Sequence, residues 1–89
     1  MIPSLMEKIQ IRGRWREELE ATSAEGKLIF EFMMGKEHVY FPSEAQWVEL
    51  VPAWAKEKWQ EYHDAVQAWC MKSRIPLSIV SDTHVYEEK

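Results

Sequence analysis

The sequence predicts a small α+β protein: a three-strand antiparallel meander, a short helix and a long helix packed on one sheet face, and a final strand (βββαβ). Three observations lead to this fold class. Apolar residues alternate in the first half of the chain, a glycine-containing two-residue turn separates two of the alternating runs, and the second half carries a helical apolar stripe. With 89 residues the chain has room for one core, so we expect a single domain over residues 1–89.

The first strand is predicted over residues 9–19, where apolar and polar side chains alternate. Its apolar face holds Ile9, Ile11, Trp15 and Leu19. The stretch from Arg14 to Ala24 also has good helix propensity, which leaves a helix as the competing interpretation. We favour the strand because the alternation runs longer than the helical pattern.

A hairpin is predicted next in the chain. The alternating run Leu28, Phe30, Phe32 and Met34 is separated from residues 37–41 by Gly35 and Lys36. Glycine at the first position of a two-residue loop is typical of a type II′ turn. Such a loop sets Met34 opposite Glu37, Met33 opposite His38, Phe32 opposite Val39, and Phe30 opposite Phe41. Both phenylalanine pairs then fall on the core face, so the turn and the hydrophobic pattern predict the same register.

Two helices and a last strand are predicted after Pro42. Ser43 with Gln46 three residues later has the form of a capping box, which predicts a short helix over residues 44–50. Pro52 suits the first turn of a longer helix, expected from about residue 52 to about residue 73. The stripe of that helix is Ala55, Trp59, Tyr62, Val66 and Trp69. Residues 77–80 resemble a strand, whose sheet edge is undecided. Residues 82–89 form either a short edge strand, with Val85 inward, or a frayed tail.

Composition and charge limit the partners and the compartment. The net charge is -4, whereas a dedicated duplex-DNA binder usually carries a basic excess, so nucleic acid is not the partner that we expect. No apolar run is long enough to cross a membrane, and the first residues lack the layout of a signal peptide. The single cysteine, Cys70, cannot form an internal disulfide. We therefore expect a cytoplasmic protein that does not bind membranes.

No pattern for catalysis, metal or cofactor binding stands out. The three glycines are too widely spaced for a phosphate-binding loop. His63 and Cys70 lie seven residues apart, and two such residues do not complete a zinc site. Four residues of nucleophile, acid and base type are close in sequence, which does not make them converge in space: Ser78, Ser81, Asp82 and His84. We expect no catalytic residues, no metal and no cofactor, and we leave open whether the protein is an enzyme.

The sheet face opposite the helices is a candidate interaction surface. In the predicted register it carries Ile29, Met33 and Tyr40, beside His38. One long helix cannot cover both faces of a sheet, and an apolar patch with a charged rim often marks an interface. Two alternatives remain: the apolar residues are ordinary scattered surface residues, or the tail folds over them.

Three arginines and one tryptophan extend the candidate surface. Arg12, Arg14 and Arg16 are spaced two apart, so a strand would direct all three to one side. They could hold a carboxylate, a phosphate or a nucleic-acid backbone, or they could pair with nearby glutamates. Trp54 lies off the apolar stripe of the helix, so we expect an exposed ring of the kind that is enriched in protein interfaces.

These observations predict a binding or interaction module that forms a homodimer and could take another protein as its partner. It would act through the second sheet face or the aromatic edge of the helix. The residues predicted for binding are Arg12, Arg14, Arg16, Ile29, Met33, His38, Tyr40 and Trp54. The first alternative is a small-molecule or anion-binding protein, which could be an enzyme, with a pocket between helix and sheet near Arg14, Arg16 and His38. The second alternative is a nucleic-acid-associated regulator.

Overall fold

The computed structural model describes residues 9–14, 18–33 and 37–88, and it confirms the α+β class. The strands are β1 (Gln10–Arg14), β2 (Glu18–Thr22), β3 (Lys27–Met33), β4 (His38–Pro42), β5 (Leu77–Val80) and β6 (Val85–Glu88). The helices are α1 (Glu44–Leu50) and α2 (Trp59–Ser73), with a single 3-10 turn at Ala53–Ala55 between them. All six strands belong to one sheet.

The antiparallel meander has four strands where the alternation predicted three. Arg14 at the end of β1 is paired with Glu18 at the start of β2, so residues 9–19 contribute to two antiparallel strands. The prediction of one continuous strand, and its helical alternative, are therefore wrong. Ile11 of β1 and Leu19 of β2 both pack with the core. The apolar residues therefore keep their period of two along the sequence although the chain reverses direction between the two strands.

The hairpin register predicted between β3 and β4 is confirmed near the turn. Phe32 lies opposite Val39, and Met33 lies opposite His38. Phe30, predicted opposite Phe41, is paired instead with Val85 of β6, because β6 takes over this edge of β3. The predicted turn at Gly35 and Lys36, and the pairing predicted for Met34, fall outside the described residues.

The last two strands take different places in the sheet. β5 pairs in parallel with β4, and β6 pairs antiparallel with residues 27–30 of β3. Because β2 occupies the other edge of β3, β6 must lie in line with β4 along the same edge. β4 stops at Pro42, which has no N–H to donate to the sheet, and β6 takes the place that is left. The tail is thus a short strand, with Val85 inward and 5% exposed.

Helix α1 has its predicted bounds, and half of its predicted capping box is present. Ser43 Oγ accepts the Gln46 backbone N–H at 3.3 Å. The Gln46 side chain, however, does not return to Ser43: its Nε2 donates to the Thr83 carbonyl at 2.8 Å, and its Oε1 accepts the Thr83 N–H at 3.4 Å. This amide therefore connects α1 to the turn that precedes β6.

The long helix begins later than predicted. Pro52 precedes the 3-10 turn, and α2 starts only at Trp59. The Ala55 carbonyl accepts the Lys58 N–H at 3.0 Å, an i+3 bond that closes a tighter turn than an α-helix does. The same carbonyl accepts the Trp47 indole N–H at 2.7 Å. The Trp47–Ala55 hydrogen bond, between α1 and the 3-10 turn, thus lies at the point where the predicted long helix is interrupted.

The core lies between the sheet and the two helices. The rings of Phe30, Phe41 and Trp47 stack with centroids 5.3 to 6.1 Å apart. Tyr62 and Val66 of α2 close this cluster and are fully buried. Of the other members of the predicted stripe, Trp59 and Trp69 of α2 pack against the rim of the core, whereas the buried Ala55 lies in the 3-10 turn before the helix.

Candidate interaction surface

The sheet has one face that no described helix covers, which we call the helix-free face. It follows from the strand registers, because alternate residues of each strand point away from the helices. Its described side chains are Gln10, Arg12, Glu18, Glu20, Thr22, Lys27, Ile29, Glu31, His38, Tyr40, Ser78, Val80, Tyr86 and Glu88. The side chains of Arg14 and Met33, and all of Arg16, lie outside the described part of the chain.

Ile29 is buried on this face although it lies away from the core. Its exposed fraction is 1%. Tyr86 of β6 is its cross-strand partner, and Tyr86 Oη donates to Glu18 Oε2 at 2.7 Å. Glu18 belongs to β2, on the far side of β3, so the tyrosine must cross β3 beside Ile29. The expectation that Ile29 lies open on this face is therefore wrong. The structure shows the alternative arrangement, in which residues of the tail cover Ile29.

The charged side chains at the β1 side of the face compensate one another. Glu20 is 5% exposed, and its two carboxylate oxygens contact Arg12 Nη2 at 3.0 Å and Lys27 Nζ at 3.1 Å. Lys27 Nζ also lies 3.7 Å from Glu88 Oε1. Arg12 keeps 74% of its side chain exposed. Of the alternatives considered for the arginine row, pairing with a neighbouring glutamate is the one observed at Arg12.

At the β4 and β5 side the face carries two stacked rings. The His38 and Tyr40 rings have centroids 4.7 Å apart and an interplanar angle of 21°. His38 Nε2 lies 2.8 Å from Ser78 Oγ. Both rings are partly exposed. His38 therefore lies on the helix-free face, and not between helix and sheet, where the alternative pocket would place it.

A depression of about 230 Å³ adjoins these rings. Its lining is Glu31, Tyr40, Val80, Asp82 and Thr83. Thr83 is 3% exposed, and its hydroxyl donates to Glu31. Among the described residues no group of His, Cys, Asp or Glu side chains has the arrangement needed to hold a metal ion. The depression is thus polar, acidic and tied to the turn before β6.

Trp54 packs inside the molecule rather than forming a free ring. It is partly buried against the core, and its Nε1 donates to Glu87 Oε2 at 3.2 Å. Its ring lies so close to Gly26 that a Cβ atom there would be 2.7 Å from Cζ2. The expectation of an exposed ring is wrong because β6, whose position the sequence left open, supplies the hydrogen-bond partner.

Two groups that the sequence set aside as metal or nucleophile candidates also have structural contacts. Cys70 is 2% exposed, and burial raises the pKa of its thiol to about 11. The His63 ring stacks on Trp59 with centroids 5.0 Å apart, and its Nδ1 lies 3.2 Å from Asp64 Oδ1. A neutral, buried thiol is a poor nucleophile and a poor metal ligand.

Sequence reasoning missed four exposed apolar residues among those that the structure describes. Tyr86 is 46% exposed, Ile79 of β5 49%, Met71 of α2 74% and Val48 of α1 45%. The alternation of Leu77 and Ile79 marks one face of a strand, but it does not show whether that strand lies at an edge of the sheet. Tyr86 could not be placed, since its pairing partner lies more than fifty residues earlier in the chain.

Comparisons with protein-family models, with curated proteins and with solved structures find no match to this chain. In the part of the chain that the structure describes, no helix combines the length and the apolar character that crossing a membrane requires. The candidate surface is therefore interpreted from its own geometry.

Proposed function

We propose that the protein is a small interaction module that binds a second copy of itself through the helix-free face. The observation that supports it best is the set of partly exposed rings, Tyr86, Tyr40 and His38, on a face that no described helix covers. Tyrosine is enriched at the centre of protein interfaces, because its ring buries apolar area while its hydroxyl keeps a hydrogen bond.

The charges of this face do not themselves favour a second copy. The chain carries a net charge of -4, so two copies repel each other at long range. On the helix-free face Glu20 is balanced by Arg12 and Lys27, whereas Glu18, Glu31 and Glu88 leave its described part acidic. The attraction has to come from the rings and their hydrogen bonds.

Sheet faces have a well-defined way of packing together. Two sheets stack about 10 Å apart with their strands within about 30° of one another. A two-fold axis would then place the same patch of both copies in contact. Tyr40 lies between the stacked His38 ring and the depression beside Asp82, so its ring would meet the facing sheet directly.

The test is the mass of the protein in solution. Sedimentation equilibrium should show a dimer of the wild type, and Tyr40→Glu should shift it to monomer, since the new carboxylate would lose water on association. The melting temperature should change little, because Tyr40 is partly exposed and faces away from the core. Met71→Glu is the matched control: it adds the same charge on α2, where 74% of the side chain is exposed.

Two results would contradict the proposal. A wild type that stays monomeric at every accessible concentration has no self-association to explain. Equal dissociation by Met71→Glu and Tyr40→Glu would show that added charge, rather than the helix-free face, controls assembly.

A further inference from the structure

Strand β5 lies at an edge of the sheet, and no described strand pairs with its outer side. The Pro76 and Val80 carbonyls accept backbone N–H groups of Val39 and Ser43, at 3.0 and 2.8 Å. These alternate residues therefore direct their backbone groups toward β4. By the alternation of a strand, Leu77 and Ile79 direct theirs outward.

Apart from its short length, this outer edge lacks the features that usually prevent strand pairing. Natural edge strands are protected by short length, by charged side chains, by bulges or by proline. β5 has the sequence Leu-Ser-Ile-Val, without a charge. Pro76 precedes it, but its missing N–H would have pointed toward β4, so the proline leaves the outer edge intact. Ile79, 49% exposed, adds apolar area beside the edge.

We propose that β5 of a second copy pairs antiparallel with this edge, giving a sheet that continues from one copy into the other. Each copy offers outward N–H and C=O groups from two residues, Leu77 and Ile79. Only the register that sets Leu77 opposite Ile79 of the second copy engages both residues in each chain, forming four backbone hydrogen bonds. Registers centred on Leu77 or on Ile79 form two.

This register also sets Leu77 and Ile79 side by side across the two-fold axis, as an apolar pair on the helix side of the sheet. Each copy then contributes its exposed Ile79 to the same apolar contact.

This contact goes beyond the proposed function and does not rest on it. It uses the edge of β5, whereas the proposed function uses the helix-free face, so one can exist without the other. Four hydrogen bonds and a few apolar contacts make a small interface, for which we expect a dissociation constant in the micromolar range or weaker. A covalent trap is therefore a more sensitive test than mass alone.

The register itself can be tested with one cysteine. Ser78 lies on the two-fold axis, opposite Ser78 of the second copy, in a pair with Cα atoms about 4.5 Å apart. Disulfides form at such separations, so Ser78→Cys should yield a covalent dimer under mild oxidation. Val80→Cys is the matched control, because its two copies would lie about 13 Å apart along the strands. The native Cys70 is 2% exposed and should not contribute.

Two further variants separate this contact from the proposed function. Ile79→Lys in the Ser78→Cys background should lower the yield of crosslinked dimer about tenfold, since the ammonium group would lie among apolar side chains. Val48→Lys is the control for exposure, at 45% against 49% for Ile79. Tyr40→Ser, which removes the ring without placing a charge beside residue 78, should leave the crosslink intact.

The inference is overturned if Val80→Cys crosslinks as efficiently as Ser78→Cys, or if neither forms a dimer. It is also overturned if Tyr40→Ser removes the crosslink while Ile79→Lys does not, a result that would retain the helix-free face. Loss of the crosslink with Ile79→Lys alone supports the edge contact, whatever the sedimentation of Tyr40→Glu shows.

Discussion

The packing of Trp54 over Gly26 predicts a cost for adding a single methyl group. In Gly26→Ala the new Cβ would lie 2.7 Å from Trp54 Cζ2 and 3.3 Å from Glu87 Oε2. The backbone itself accepts alanine, because no described glycine has a positive φ. Overpacking costs about 1–3 kcal/mol, and the smaller entropy of the unfolded chain returns about 0.4–1 kcal/mol. We expect a net loss of about 1–2 kcal/mol in the free energy of unfolding.

A double-mutant cycle assigns this loss to the tryptophan ring. In a Trp54→Ala background the obstructing ring is gone, so Gly26→Ala should be neutral or stabilising by up to about 1 kcal/mol. Urea denaturation followed by circular dichroism measures all four proteins. For a domain of this size, each kcal/mol should also shift the melting temperature by about 4–8 °C. An equal cost of Gly26→Ala with and without the ring would refute the placement of Trp54 over the β2–β3 turn.

Three further predictions concern the core, the end of α2 and the buried thiol. Phe30→Ala should lower the free energy of unfolding by about 3–5 kcal/mol in urea denaturation, because a ring that is 1% exposed leaves a cavity, whereas Val48→Ala should change it by less than about 0.5 kcal/mol. Arg74 has φ 60, in the left-handed region, so Arg74→Gly should raise the same quantity by about 1 kcal/mol, and an unchanged or lower value would contradict that geometry. Burial raises the pKa of the Cys70 thiol from 9.0 to about 11, so the unfolded chain loses this proton first as the pH rises. Stability measured by denaturation at successive pH values should therefore fall between about pH 9 and pH 11, and less so in Cys70→Ala.

Local patterns in the sequence predicted most of the elements that depend on neighbouring residues. The strict alternation in residues 28–34 predicted β3, and the loop length predicted the register that the structure confirms through Phe32 and Val39. Ser43 marked the start of α1 because a hydroxyl there accepts an N–H of the first turn. These signals depend on residues two to four positions apart, and such short spacings can be read directly from a sequence.

Distant contacts account for what the sequence left wrong or open. The reversal between β1 and β2 was missed because Ile11 on β1 and Leu19 on β2 both face the core, so the two-residue alternation shows no break between the strands. The position of β6 was undecided because its partner is residues 27–30 of β3. That one uncertainty carried into the candidate site: Ile29 and Trp54 were expected to be open, and residues of β6 contact both of them. The binding roles predicted for the surface residues remain predictions.

The shared edge of β3 also constrains the order in which the molecule can fold. Residues 31–33 find β4 a few residues along the chain, whereas residues 27–30 must wait for residues 85–88. Closing the loop between Phe30 and Val85 is slow compared with forming a local hairpin. During that delay the central strand has half of one edge without its partner, next to the largest aromatic side chains of the core. An open strand edge of this kind favours pairing between chains, so we expect variants that weaken the docking of β6 to aggregate more readily during refolding than the wild type.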